Sequence, residues 1–178
     1  MKRCSYNKLV NFALREFRRE DFDSLWRIDQ ECFARGIAYS RLELAAYIRL
    51  RGAFTMVAET LGEGPKADES NPAILGFIVA HARRRGVGHI LTIDVPPASR
   101  RFGVGSRLLT TAEDRLRTAG CHSVVLETAV DNSSALAFYK QHGYCVEKTM
   151  PRYYSNGVDA FVLEKPLHSG SARSSLRI

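Results

Sequence analysis

The chain has 178 residues, 45% of them hydrophobic and 25% charged, and is long enough for one domain to bury a core. This composition excludes a collagen, a disordered polymer and a disulfide scaffold, and no apolar run approaches the roughly 20 residues of a membrane helix. The net charge of +7 favours an anionic partner such as nucleic acid, a membrane surface or a phosphorylated cofactor, although an indifferent basic surface explains it equally well.

Cysteine and histidine are spaced in a way that indicates neither disulfides nor a metal centre. The four cysteines form no C-x-x-C pair, and no histidine lies near them at a zinc spacing, so we expect reduced thiols and no metal. The apolar stretch near the N-terminus is interrupted by Asn11 and is too short for a signal peptide. We therefore expect a cytoplasmic protein that is not attached to a membrane.

The first half of the chain predicts two helices and four strands. In order, these are a strand over 11–17, helices over 18–33 and 40–51, and strands over 54–59, 74–81 and 88–95. Ser40 and Glu43 have the spacing of a capping box at the start of the second helix. The strand over 74–81 is almost continuously apolar, which predicts a central position covered on both faces.

The second half predicts two more helices and three more strands. In order, these are a helix over 104–120, a strand over 123–129, a helix over 133–141, and strands over 144–149 and 158–165. The pattern is that of an α/β fold with a mixed sheet. We expect one domain over 11–167, with a short extension over 1–10, a polar loop over 61–72, and a disordered Ser- and Arg-rich tail over 168–178.

The segment 100–106, Arg-Arg-Phe-Gly-Val-Gly-Ser, is the first candidate for a binding site. It follows a strand and opens a helix, so its glycines allow a tight turn while the first helical N–H groups face outward. Such a helix start binds anions and suits a pyrophosphate. A glycine pair before a helix is equally well explained as a simple turn.

Two motifs together carry a resemblance to a known family. The spacing Arg-x-x-Gly-x-Gly over 100–105 resembles the pyrophosphate motif of the GCN5-related N-acetyltransferases (GNAT). Further along, Asp-Asn-Ser-Ser-Ala-Leu-Ala-Phe-Tyr over 131–139 and then Gly143-Tyr144 resemble the second motif of that family, in the same order and with the usual separation. The resemblance covers about 11–167. It implies the GNAT fold, with a central mixed sheet of six to seven strands, splayed in the middle, and helices on both faces.

The resemblance implies acetyl-CoA as the cofactor. The residues that it places around coenzyme A are Val95, Arg100, Arg101, Phe102, Gly103, Val104, Gly105, Ser106, Asn132 and Tyr139. Backbone amides over 101–106 would hold the pyrophosphate, while Asn132 and the main chain at Val95 would hold the pantetheine arm. The Val95 N–H would also stabilise the developing oxyanion. Pro96-Pro97 follow directly, which departs from the acidic residue and single proline of many bacterial relatives.

A second resemblance concerns the acceptor. The segment 152–160 is similar to the Tyr-Tyr loop of protein N-terminal acetyltransferases, including the bacterial ribosomal-protein alanine acetyltransferases. It implies that Tyr153 and Tyr154 hydrogen-bond the first residues of an acceptor peptide, with Ile37 and Tyr39 on the opposite wall. The alternative for this loop is a hydrophobic cap on the last hairpin.

Three side chains are candidates for proton transfer. Glu127 is a carboxylate in an apolar strand, where it is costly unless solvated or used, and the resemblance implies a general base; a salt bridge to an arginine is the alternative. His89 opens the preceding strand and is either a second proton acceptor or an edge histidine. Tyr139 occupies the family's position for the acid that protonates the thiolate, with aromatic packing as its alternative.

These observations favour an enzyme that acetylates the α-amine of a protein N-terminus, with a ribosomal protein as the candidate acceptor. The same fold acting on a small amine or a lysine is the nearest rival. The third hypothesis is a non-catalytic basic protein that binds RNA or the ribosome. The sequence shows no aromatic stacking platform and no recognition-helix signature that would support it. We expect no direct requirement for nucleic acid and either a monomer or a weak dimer.

Overall fold

The computed structural model describes residues 10–61 and 73–167. The expected N-terminal extension, the interior of the polar loop and the C-terminal tail therefore lie outside the described residues. In chain order the elements are β1 (Phe12–Glu16), α1 (Phe22–Cys32), α2 (Arg41–Ile48), β2 (Ala53–Thr60), β3 (Ile74–Ala82), β4 (Val87–Asp94), α3 (Val104–Thr118), β5 (Ser123–Ala129), α4 (Ser133–Gln141), β6 (Cys145–Met150) and β7 (Ala160–Pro166). Every strand and helix expected from the sequence is present, in the expected order.

All seven strands form one mixed sheet in the order β1-β2-β3-β4-β5-β7-β6. Every neighbouring pair is antiparallel except β4 and β5, which are parallel and are connected through α3. These two strands pair only over 87–89 and 123–125, although they continue to Asp94 and Ala129. The sheet is therefore splayed in the middle, which confirms the expected GNAT fold.

A β-bulge in β4 changes the face to which its residues point. Val79 pairs with Thr92 and Ala80 pairs with Ile90, so Leu91 is an extra residue on β4. Because side chains alternate along a strand, one inserted residue reverses the alternation beyond it and increases the local twist. The bulge lies between the part of β4 that pairs with β5 and the part that separates from it.

Two cores cover the two faces of β3. Ile78 and Ala80 pack into the core beneath α3, whereas Phe77 and Val79 pack against α1 and α2. The expectation of a central strand covered on both faces is confirmed. Since Asp94 pairs with Phe77, the Asp94 side chain lies on the side of α1 and α2, whereas Ile93 packs beneath α3.

The capping box expected at the start of α2 is present. The Ser40 hydroxyl accepts the Glu43 N–H at 3.2 Å, and the Glu43 carboxylate accepts the Ser40 N–H at 2.8 Å. These reciprocal bonds anchor the end of the loop between α1 and α2. None of the helices in the two described ranges is long and apolar enough to cross a bilayer.

Gly76 in β3 lets the backbone at the end of β4 approach closely. A Cβ atom at Gly76 would lie 2.6 Å from the Asp94 carbonyl oxygen and 3.0 Å from Val95 Cγ2. We expect Gly76→Ala to lower the free energy of unfolding by about 1–3 kcal/mol, because the backbone of β4 must move. Urea unfolding measures this loss.

Gly105→Ala provides the control for that substitution. Its Cβ atom would lie no closer than 3.5 Å to the Phe138 ring, and a helix accepts alanine better than glycine. The control should therefore unfold at the same urea concentration as the unmodified chain, or a higher one. An equal loss in both variants would contradict the steric explanation.

Candidate active site

A histidine and a carboxylate pair where β4 and β5 separate. His89 lies opposite Val125 in the last residue pair between the two strands, and Glu127 is two residues further along β5. Nε2 of His89 is 2.6 Å from Oε2 of Glu127. His89 is buried, whereas the Glu127 side chain keeps 18% of its surface exposed. The fold thus brings together the two proton acceptors considered from the sequence.

Arg83 extends this pair to a chain of three side chains. Its Nη2 contacts Nδ1 of His89 and lies 3.5 Å from Nε2, the nitrogen that is bonded to Glu127. Arg83 lies in the turn between β3 and β4. Within 10–61 and 73–167 the ion-pair partner of Glu127 is this histidine, while Arg83 contacts the histidine and not the carboxylate.

Glu127 is a carboxylate whose environment favours its charged form. Burial raises its pKa, but the hydrogen bond and charge of His89 and the charge of Arg83 outweigh burial and hold the pKa below its usual value. Glu127 is therefore ionised at neutral pH and can accept a proton or bind an ammonium group.

The start of α3 presents unpaired backbone amides. Gly103 adopts φ +82°, a left-handed conformation that suits glycine, and Arg107 N–H donates to its carbonyl at 3.0 Å in the first helical bond. The amides of 104–106 precede that bond, and among the described residues no side chain caps the helix. Arg101 also has a positive φ of 65°, and Phe102 is 40% exposed. The segment thus has the free amides of an anion site.

The flanks of this turn are tied to neighbouring elements. Arg100 Nε donates to the Val95 carbonyl at 2.8 Å. His142 Nδ1 lies 2.8 Å from the Phe138 carbonyl and must carry a hydrogen, so Nε2 accepts from the Ser106 hydroxyl at 3.1 Å. The Ser106 hydroxyl therefore binds α4, while its backbone amide remains part of the helix start. No motif in the sequence singled out His142.

Asn132 acts as the N-cap of α4. Its side-chain oxygen accepts the Ala135 N–H at 3.1 Å and the Ser134 hydroxyl at 3.0 Å. Because the oxygen is occupied by the cap, the side-chain NH₂ is the group that Asn132 can offer to a ligand.

Tyr139 is buried on α4 among other aromatic rings. Its ring centroid lies 5.3 Å from that of Phe138 and 5.5 Å from that of Tyr144, both in edge-to-face arrangements. Burial raises the pKa of the phenol, so Tyr139 keeps its proton at neutral pH. Aromatic packing and the ability to donate a proton are therefore combined in one side chain.

The loop between β6 and β7 contacts the loop between α1 and α2. The rings of Tyr153 and Tyr154 are 5.0 Å apart and nearly perpendicular. The Ser155 hydroxyl donates to the Gly36 carbonyl at 3.0 Å. Gly36 has φ +87°, and a Cβ there would lie 2.9 Å from Asn156 Cβ. The two walls expected for the acceptor thus meet at a glycine.

Tyr39 is held by hydrogen bonds at both ends. Its hydroxyl donates to the carbonyl of Leu91, the bulge residue, at 3.0 Å, and its backbone N–H donates to Asp29 Oδ2 at 2.9 Å. The Tyr39 hydroxyl hydrogen is therefore occupied by β4. Ile37 lies in the preceding turn, half-buried, with its N–H bonded to the Ala34 carbonyl at 3.0 Å.

Two buried carboxyl groups were missed in the sequence. Asp94 is fully buried, accepts the Thr92 hydroxyl at 2.5 Å through Oδ1, and has no partner for Oδ2 within 10–61 and 73–167. Burial raises its pKa well above the usual value, and the nearby charge of Asp29 adds to this. Burial also raises the pKa of Asp29 to about 6. The signal in the sequence was the pattern Thr-Ile-Asp in an otherwise apolar strand.

A splayed mixed sheet beside a helix start with free amides is typical of acyltransferases that use a nucleotide-linked donor. Residues 13–144 match the family model described as "Acetyltransferase (GNAT) family". The chain belongs to this family, which confirms the expectation of an acetyl-CoA-dependent N-acyltransferase.

Two curated relatives are similar in sequence. The "Uncharacterized N-acetyltransferase MJ1530" of Methanocaldococcus jannaschii is 32% identical over 153 residues, which cover 85% of this chain and 90% of that protein. "N-alpha-acetyltransferase 30" of Schizosaccharomyces pombe is 38% identical over 74 residues, or 42% of this chain and 49% of that protein. The similarity thus spans about half of the length of the yeast protein.

One solved structure resembles this chain in its fold. The crystal structure of "the NatC complex bound to Gag peptide and CoA" aligns with a TM-score of 0.72 and 26% identity, covering 89% of this chain and 99% of that chain.

Asp94 makes the stability of the fold depend on pH. Its raised pKa means that the folded state keeps a proton that the unfolded chain releases, so stability falls with rising pH by up to about 1.4 kcal/mol per pH unit. The amide in Asp94→Asn does not titrate. We expect the stability of this variant relative to the unmodified chain to increase between about pH 5 and pH 8, as measured by urea unfolding.

Asp114→Asn on α3 makes the same chemical change at an exposed position. Within the described ranges its carboxylate pairs only with Arg117, at the surface, so this variant should show a smaller gain over the same pH range than Asp94→Asn. A constant difference for Asp94→Asn would show that Asp94 is already ionised in the fold.

Proposed function

We propose that this protein transfers an acetyl group from acetyl-CoA to the α-amine of a protein N-terminus. The observation that carries the proposal is the pairing of His89 with Glu127 at the separation of β4 and β5. It places an ionised carboxylate beside the opening in the sheet. The names of the NatC complex and of N-alpha-acetyltransferase 30 support a protein N-terminus as acceptor.

The start of α3 fits the diphosphate of coenzyme A. The backbone N–H groups of 104–106 precede the first hydrogen bond of the helix. The left-handed Gly103 leaves open space beside the turn. The helix dipole adds to the attraction for phosphate, and Arg100 and Arg101 contribute positive charge. When bound there, acetyl-CoA supplies an activated acetyl thioester. The exposed Phe102 is available to cover part of the nucleotide.

We assign Val95 and Asn132 to binding of the pantetheine arm, which connects the diphosphate of coenzyme A to the acetyl thioester. The carbonyl of Val95 is held by Arg100, which fixes the orientation of this peptide segment just beyond β4. We assign the Val95 N–H to the acyl oxygen, where a fixed donor stabilises negative charge as it develops. The NH₂ group of Asn132 is assigned to the pantetheine arm.

The acceptor is assigned to the opposite side of the sheet. Tyr153 is 44% exposed, so its hydroxyl is accessible to a peptide, and Tyr154 lies beside it. Ile37 and Tyr39 form the facing wall. The hydrogen bond between Ser155 and the Gly36 carbonyl joins the two walls and fixes their separation at this point.

The chemistry of proton removal favours an α-amine. An α-amine with a pKa near 8 costs about 1.4 kcal/mol to deprotonate at pH 7, whereas a lysine with a pKa near 10.4 costs about 4.6 kcal/mol. A carboxylate whose pKa is lowered is a weak base, so it suits the first acceptor far better than the second. We assign Glu127 as the base, acting directly or through water.

Tyr139 is assigned as the acid that returns a proton to the departing sulfur. Its buried phenol stays protonated at neutral pH, which is the state that this role requires.

A ribosomal protein that begins with alanine is the narrower version of the proposal. This narrower version rests on the resemblance of the Tyr153-Tyr154 loop to that of the bacterial ribosomal-protein alanine acetyltransferases. A small amine or a lysine remains the competing acceptor.

Glu127→Gln should lower kcat by about 10²-fold or more, because the amide cannot accept a proton. The Kd for acetyl-CoA should not change, because the start of α3 is intact. Release of free thiol measures turnover, and calorimetry measures binding. Glu147→Gln, the same change on the exposed strand β6, should keep full activity. Full activity of Glu127→Gln would remove Glu127 from the mechanism.

A peptide panel tests the acceptor. Short peptides with different first residues are offered with acetyl-CoA, each as the free α-amine and with that amine blocked. We expect thiol release only from peptides with a free α-amine, whether or not they contain lysine. Release from blocked, lysine-bearing peptides or from small amines alone would contradict the proposal.

A further inference from the structure

Three side chains of α1 bind the backbone of one residue in the loop before α2. Asp29 Oδ2 accepts the Tyr39 N–H at 2.9 Å, and the Tyr39 carbonyl accepts Gln30 Nε2 at 2.8 Å and Trp26 Nε1 at 3.2 Å. Positions 26, 29 and 30 are separated by three and four residues, so their side chains share one face of the helix. Tyr39 lies outside the helices and strands, and side chains of α1 satisfy both polar groups of its backbone.

The side chain of Tyr39 connects the same loop to two further elements. Its hydroxyl donates to the carbonyl of the bulge residue Leu91 on β4 at 3.0 Å. Its ring packs edge-to-face on that of Tyr47 on α2, with a distance of 5.0 Å between the ring centroids. Three elements therefore meet at Tyr39, and α1 contributes the hydrogen bonds to its backbone.

Asp29 is completely buried although it is a carboxyl group. It accepts hydrogen bonds from Tyr39 N–H and from Gln30 Nε2, at 2.9 Å each, through Oδ2. Its other oxygen, Oδ1, has no partner among the residues that the structure describes. Burying a carboxyl group is costly unless its oxygens accept hydrogen bonds, and an apolar side chain would avoid this cost. The benefit of a carboxyl group at this point thus lies in the hydrogen bond to Tyr39.

We propose that Asp29 is a positioning residue that binds the Tyr39 N–H and thereby fixes the segment 36–39, the wall assigned to the acceptor peptide. This inference deepens the proposed function and rests on it for the identity of the acceptor. A wall that is already ordered loses less conformational entropy when the peptide binds. Asp29 therefore acts on the affinity for the acceptor, whereas Glu127 and Tyr139, on β5 and α4, are assigned to the proton transfers.

The opposite wall is coupled to this contact. The Gly36 carbonyl accepts the Ser155 hydroxyl at 3.0 Å, and a Cβ atom at Gly36 would lie 2.9 Å from Asn156 Cβ. Because the two loops are this close, a displacement of Tyr39 and its neighbours is expected to shift the loop between β6 and β7. Loss of the bond to Asp29 would therefore disturb both walls.

Of the three side chains, Asp29 is the one whose loss leaves a backbone group without a partner. Trp26 and Gln30 donate to the same carbonyl, so removal of either leaves the other in place. The Tyr39 N–H has Asp29 as its acceptor in the described parts of the chain. Gln30→Ala should therefore disturb the wall less than Asp29→Ala.

Hydrogen exchange of the Tyr39 amide, followed by nuclear magnetic resonance without substrate, tests the contact. Asp29→Ala should speed this exchange about tenfold or more, because the N–H loses its acceptor. Asp29→Asn keeps an oxygen that can accept the N–H and should retain slow exchange. Glu31→Ala, the same kind of change at an exposed position of α1, should have no effect. An exchange rate that is unchanged in Asp29→Ala, or that rises no more than those of the amides in β3, would overturn the inference.

Steady-state kinetics with a peptide that reacts in the panel give the second test. Asp29→Ala should raise the KM for the peptide about tenfold, while kcat and the Kd for acetyl-CoA stay within about twofold. Asp29→Asn should restore the KM, and Glu31→Ala should not change it. A fall in kcat with an unchanged KM would overturn the inference. If no peptide reacts, the proposed function fails, and the exchange of the Tyr39 amide alone decides the role of Asp29.

Discussion

The site depends on the early separation of β4 from β5. Parallel strands gain stability from each residue pair, yet these two stop pairing after three pairs and leave their ends without a partner between them. The bulge at Leu91 reverses the alternation of side chains, so that Asp94 lies on the same face as Phe77, on the side of α1 and α2. Beyond His89 and Val125 the facing backbone groups of β4 and β5 are therefore not paired with each other.

The sequence predicted the fold well because its signals are local. The capping box at Ser40, the glycines before α3 and the apolar run of β3 each depend on residues within a few positions of one another. The two GNAT motifs then selected one arrangement of the sheet among those that an α/β pattern allows. His89 and Glu127 were both chosen from sequence, but as separate candidates.

The contacts between distant elements could not be predicted. His89 and Glu127 are 38 residues apart and meet because β4 and β5 are in register there. Arg83 reaches the dyad from a turn that the sequence indicated only as basic. Asp94 is buried on a face that the alternation of β4 cannot assign, because the bulge reverses it. Such contacts follow from register, bulges and side-chain direction, which single residues do not encode.

The hydrogen bond from Ser155 to the Gly36 carbonyl has a topological consequence. It ties the loop between α1 and α2 to the loop between β6 and β7, two segments that are 119 residues apart in the chain. The ends of the polypeptide are thereby coupled at this point, so that unfolding of the last hairpin would also release the Gly36 end of the loop that precedes α2.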